Sequence, residues 1–138
     1  QTDGAIGYVE YAYAKQNKMT YTKMINTDGK VVEPKTAAVQ AAAAGVDWAN
    51  SPGYYVILTN QPGADSWPIT GASFILIYKQ PDDPDAVKTA LEFFDWAYQS
   101  GDKMAEDLDY VPIPDELVGL VKTTWKSSIV DGSGKAIY

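Results

Sequence analysis

Two long amphipathic helical segments near the end of this chain need a sheet to cover, and the sequence around them supplies one convincing strand. That strand is predicted over Ile69 to Tyr78, where β-branched and aromatic residues surround the continuous apolar run Phe74-Ile75-Leu76-Ile77. An unbroken apolar run of this length marks a strand covered on both faces, as in a parallel or mixed sheet between helices. Asp83 followed by Pro84 fits an N-cap and first helical position. Val87, Ala90, Leu91, Phe94, Ala97 and Tyr98 then recur at three- and four-residue spacing until Gly101 closes the helix. Pro114 opens the second helix, Asp115 and Glu116 favour its positive end, and Leu117, Leu120, Val121, Thr124 and Trp125 form its inner stripe. A sheet normally has several strands. The expectation is therefore an α/β chain with incomplete sheets, whose missing strands lie outside residues 1–138.

The remaining elements are shorter. Ile6 to Glu10 reads as a strand and Tyr11 to Asn17 as a helix. Tyr21 to Ile25 and Lys30 to Val32 flank Thr27-Asp28-Gly29, whose Asp-Gly pair signals a hairpin. Thr36 can cap a helix over Ala37 to Ala44, with Gly45 expected at the left-handed position that ends it. Charge is uneven: residues 1–69 hold five Lys and six acidic residues, residues 70–138 six Lys and twelve acidic residues. The shift falls near Trp67-Pro68, just after the turn-forming stretch Asn60 to Asp65. A lobe boundary is expected there.

Absences narrow the chemistry. The chain has no His, no Cys and no Arg, so all 11 basic residues are Lys. Without Cys there is no disulfide, thiolate nucleophile or zinc-thiolate site. Without His the commonest general base and metal ligand is gone. Without Arg there is no planar fork to grip an oxyanion in bidentate fashion. A net charge of −7 argues against nucleic acid or an anionic membrane as partner. No apolar run approaches the roughly 20 residues that span a bilayer, and the first residues lack the basic-then-apolar order of an export signal. The reading is a non-enzyme with no cofactor, no metal and no catalytic residue.

Several strings carry a family resemblance in their combined order. They are Gly4-Ala5-Ile6-Gly7-Tyr8-Val9-Glu10-Tyr11-Ala12-Tyr13-Ala14-Lys15, Trp67-Pro68-Ile69-Thr70, Phe74-Ile75-Leu76-Ile77, Phe93-Phe94-Asp95-Trp96-Ala97-Tyr98 and Leu108-Asp109-Tyr110. Together they resemble the carboxy-terminal part of the periplasmic phosphate-binding protein of bacterial phosphate ABC transporters, over nearly the whole chain. The resemblance implies a two-lobed periplasmic binding protein fold of type II. Residues 1–66 would end the second lobe, 67–70 would form the inter-lobe crossing, and 71–138 would complete the first lobe. It implies capture of inorganic phosphate in the periplasm and delivery to a membrane permease. The family's ligands for the anion are backbone amides and hydroxyls at helix amino ends, an Arg and a proton-accepting Asp, all upstream of Gln1. No phosphate-binding residue is therefore expected in this chain, which is expected to be an incomplete piece of such a protein.

The other constellations have plainer readings. Asp82-Asp83-Pro84-Asp85 reads as carboxylates at a helix start, not a cation site. Glu106-Asp107-Leu108-Asp109 reads as a solvated loop, lacking the Gly and distal Glu of an EF-hand. Thr70-Gly71-Ala72-Ser73 reads as the start of a buried strand instead of an anion cradle. Tyr8, Tyr11 and Tyr13 read as half-buried core, and Trp48, Trp67, Trp96 and Trp125 as core. Two alternatives remain. One is a self-contained acidic interaction module working as a dimer, a strand-exchanged copy or a subunit bound to an amino-terminal fragment, because exposed strand edges recruit partners. The other is a hydrolase using paired carboxylates such as Asp107 and Asp109.

Overall fold

Helical periodicity carries directly into the computed structural model, which describes residues 2–138. In chain order the elements are α1 (Tyr11–Gln16), β1 (Met24–Ile25), β2 (Val31–Val32), α2 (Thr36–Ala44), a 3-10 turn at Pro52–Tyr54, α3 (Pro84–Ser100), α4 (Asp102–Asp107) and α5 (Asp115–Ser128). The architecture is helical with one small antiparallel sheet, in which Met24 faces Val32 and Ile25 faces Val31. At the start of α3, the Asp83 carboxylate accepts from the Ala86 amide at 3.0 Å, so the expected cap is present. At its end, a Cβ on Gly101 would lie 2.5 Å from the Ala97 carbonyl, a contact only glycine avoids. The chain then turns straight into α4.

α5 is the wall on which the molecule is built. Its Leu117 joins Trp48 and Leu58 in one buried cluster, with Val46, Tyr54 and Ile113 packed around it. Its Trp125 joins Leu91 and Ile129 in a second cluster, with Phe94, Tyr98 and Tyr138 around it. Val121 touches both clusters. The Trp125 ring lies 5.9 Å from that of Tyr98 in a stack and 5.4 Å from that of Tyr138, edge on. Leu91 is 0% exposed, as its place at the centre of the predicted stripe requires.

The hairpin is held chiefly by one buried side chain. Gly29 takes a φ of +69°, the left-handed turn that the Asp-Gly pair foretold. Inside the turn, the buried Asn26 accepts through Oδ1 from the amides of Asp28 (3.1 Å) and Lys30 (2.9 Å). Its Nδ2 donates to the carbonyls of Gly63 (3.0 Å), Ala64 (2.9 Å) and Ser66 (3.3 Å). One amide thus closes the turn and fastens it to a loop some 40 residues away, with weaker contacts from Thr27 and Asp28 to the same loop.

Four expectations are corrected. Ile6–Glu10 is not a strand: Ile6 is 98% exposed and Tyr8 97%. Ile69–Tyr78 is not a covered strand either; it makes a single bridge, Thr59 to Ile69, and Leu76 is 93% exposed. Among the described residues, no backbone hydrogen bond involves positions 71–78. A strand exists only when paired, and among the described residues no named strand pairs with either segment. α2 is capped at Lys35, not Thr36, and Gly45 has a right-handed φ of −77° instead of the expected left-handed one. Glu106 and Asp107 lie in α4, not in a loop.

Replacing Leu91 with Ala should lower unfolding free energy by about 2–5 kcal/mol, because a fully enclosed site cannot collapse around the lost methyls. Phe93→Ala, on the exposed side of the same helix, should change it by about 0.5 kcal/mol or less. Urea denaturation followed by tryptophan fluorescence measures both.

Candidate functional site

Segment Ser66–Thr70 is the most tightly pinned loop in the molecule. Ser66 is buried and its Oγ donates to the Pro62 carbonyl at 2.9 Å. The Trp67 amide donates to Ala38 of α2 at 2.9 Å, and the Asn60 amide donates to Pro68 at 2.8 Å. The Thr70 hydroxyl turns back to the Trp67 carbonyl at 3.1 Å. Beyond it the chain changes character within one residue. Gly71, Ala72 and Ser73 are exposed, and Phe74, Ile75, Leu76 and Tyr78 leave large apolar surfaces in water. Ile77 alone of the apolar run packs against the Leu91–Trp125 cluster. On α3, Phe93 and Trp96 sit 5.9 Å apart and are also half exposed. A segment with unpaired backbone groups and exposed apolar side chains is suited to receiving a neighbouring strand.

Two cavities lie elsewhere among the described residues. A cavity of about 150 Å³ between the end of α2 and the start of α5 is lined by Trp48 and Leu117, with Asp47 and Glu116 in its wall. One of about 250 Å³ beside α3 and α4 is lined by Tyr98, Ile113 and Val118, with Asp102 and Asp115. Neither holds a lysine, and carboxylates repel an oxyanion. Thr70 turns its hydroxyl to the chain's own backbone, and Gly71-Ala72-Ser73 is exposed, not the start of a buried strand as expected.

The acidic constellations resolve into caps and ion pairs. Asp83 caps α3 and Asp85 lies in its first turn. Asp107 pairs with Lys103, and Asp109 with Lys15 of α1, so the two do not form a carboxylate dyad. Among the described residues, no group of three or more acidic side chains could hold a metal ion. Trp48, Trp67 and Trp125 are buried as expected, whereas Trp96 is half exposed. Tyr8 likewise is exposed, not half-buried core, and Tyr11 packs edge-on to Tyr21 at 5.6 Å.

Sequence reasoning missed three residues that organise this surface. Asn26 had a legible signal, an Asn two positions before Asp-Gly. Tyr54, at a strained φ of +57°, reaches α5, where its hydroxyl donates to the Leu120 carbonyl at 3.0 Å and lies 2.5 Å from Thr124 Oγ1. Lys122 of α5 pairs with Asp95 of α3, and Gln99 donates to the same carboxylate at 2.7 Å. The Lys122 ammonium holds the Asp95 carboxyl below its ordinary value of 3.8, against the opposing effect of burial. Burial, then Asp95, pushes the Tyr138 phenol up. Near the hairpin, Lys23 and Lys35 each approach Glu33 to 2.5 Å and lower its pKa to about 2.

No protein-family model matches the chain. Comparison with curated proteins gives clear relatives. The chain is 43% identical over 134 residues to the phosphate-binding protein PstS of Pasteurella multocida, which covers 97% of the chain and 39% of that protein. It is 48% identical over 125 residues to PstS of Haemophilus influenzae, covering 91% of the chain and 37% of the relative. With PstS of Xylella fastidiosa it shares 44% over 127 residues, 92% of the chain and 35% of the relative. The resemblance carried by the sequence strings thus holds over nearly the entire chain. The chain spans between a third and two fifths of the length of these relatives. Their names are those of binding proteins, a class without catalysis. Among the described residues no helix is long and apolar enough to cross a membrane.

The ion pairs set an acid limit. Asp95 and Glu33 have folded pKa values below their unfolded ones, so their contribution is full above about pH 4.5 and is lost as pH falls below it. Glu33 loses its share as pH approaches 2. Melting temperature should therefore drop between about pH 4.5 and 2, and Asp95→Asn should make that drop shallower while lowering stability at pH 7. Thermal melts across this range provide the check.

Proposed function

We propose that this chain is the carboxy-terminal portion of a periplasmic phosphate-binding protein, the solute-binding component of a phosphate ABC importer. The observation that carries the reading is the 43–48% identity to phosphate-binding proteins along nearly every residue of the chain. In this reading the complete protein has the two-lobed type II fold. Residues 1–66 end the second lobe, 67–70 form the crossing, and 71–138 finish the first lobe. The phosphate ligands belong to the part of the protein not spanned here, in keeping with the missing Arg and the acid-walled cavities. The unpaired stretch 71–78 is where strands from that other part complete the first lobe's sheet, and Phe93 and Trp96 of α3 are half exposed as well. Inorganic phosphate and a membrane permease are the partners of the assembled protein.

A second reading has one observation in its favour. The same unpaired stretch suits strand exchange with another copy, as in a self-contained module. Light scattering during size-exclusion chromatography separates the two, since a strict monomer rules out obligate exchange.

Calorimetry tests the main reading. Residues 1–138 alone should bind phosphate no better than about millimolar, a free energy near −4 kcal/mol. Joined to the upstream portion of a relative, the same residues should support micromolar binding. Micromolar binding by the chain alone would overturn the placement of the ligands, and no binding by the joined protein would overturn the function.

A further inference from the structure

α1 is six residues long, too short to persist without outside contacts. The segment before it, residues 2–9, is exposed throughout. α1 buries Ala12 and Ala14, and its polar end makes a further contact with a turn 94 residues away. Lys15, in the last turn of α1, pairs with Asp109, and the Gln16 side chain reaches the Leu108 carbonyl at 3.5 Å. Glu10, just before α1, pushes the Tyr110 phenol up.

The turn that presents Asp109 is unusual in its residue choice. The Tyr110 amide donates to the Ala105 carbonyl and the Asp109 amide to that of Glu106, both at 2.9 Å. That pair of bonds is the Schellman closure of a helix, whose left-handed residue is ordinarily glycine. Here it is Asp109, at a φ of +65°. An aspartate at that position accepts local strain and in return places a carboxylate, 16% exposed, against Lys15.

We infer that the Lys15–Asp109 ion pair is a clasp across the two lobes, one that biases the complete protein toward its closed arrangement. This rests on the two-lobe reading above, in which Lys15 and Asp109 lie on opposite sides of the 67–70 crossing. Apolar packing between the same two parts is concentrated around Trp48, Leu58 and Leu117. Parting those side chains exposes a core, so that contact acts as a fixed pivot. The clasp is different: Lys15 is about half exposed, so its ammonium returns to water at little cost and the pair can break and reform as the lobes move.

The test uses the complete protein containing this chain, spin-labelled at Thr20→Cys and Lys126→Cys, two exposed positions in a chain that brings no cysteine of its own. Pulsed electron paramagnetic resonance then reads the ratio of long to short separations without phosphate. Asp109→Asn should raise that ratio about two- to fivefold, the range expected for one exposed ion pair. Adding Lys15→Gln to it should change nothing further, as coupled partners require. Asp109→Gly relieves the turn and removes the charge. It should raise the ratio equally while leaving the melting temperature unchanged or higher. An unchanged ratio in Asp109→Asn and Asp109→Gly overturns the clasp, as does a single separation in every variant. Phosphate titration of the same labelled protein decides the ligand reading independently: failure to bind overturns that reading, while the ratio still decides the clasp.

Discussion

Both large apolar clusters of the described residues pass through one helix. α5 presents Leu117 to one cluster and Trp125 to the other, and Val121 lies against both. The two clusters are therefore not independent: a rotation of α5 that improved one would open the other. Tyr54 and Lys122 fix that rotation from opposite directions, Tyr54 by bonding the Leu120 carbonyl and Lys122 by pairing with Asp95 on α3. Side-chain packing, with two polar stays, does the work that sheet pairing does in most α/β proteins.

The consequence is a molecule with one finished side and one unfinished side. α3 buries Leu91 yet leaves Phe93 and Trp96 in water, and the run from Phe74 to Tyr78 gives only Ile77 to the core. Apolar surface left open in this way has a free-energy cost of about 25 cal/mol per Å². The relatives this chain matches are well over twice its length, and in the proposed reading their additional residues cover that surface.

The helices were legible in the sequence because their information is local. Spacing of Val87, Leu91, Phe94 and Tyr98, a Pro at the first turn and an Asp before it all lie within one element. The hairpin was legible for the same reason, through Asp28-Gly29. The two strands were not, although their composition was right. A strand's stability resides in its neighbour, and no composition of Ile6–Glu10 or Ile69–Tyr78 can provide one. The long-range ties of Asn26 and Asp109 were opaque in another way, although Asn26 was legible as a turn residue. Their partners stand 37 to 94 residues away, and the turns that aim them depend on backbone angles that residue type alone does not dictate.

Asn26 also has a chemical liability. Its side chain is asymmetric by necessity, with an oxygen turned toward two amides and a nitrogen toward three carbonyls. Hydrolytic ageing of that amide would leave an acid of the same shape. A second oxygen would then confront three others with no hydrogen between them, and the hairpin would be pushed off the loop it had been tied to. The loss of one nitrogen atom, with almost no change in volume, is enough to undo the attachment.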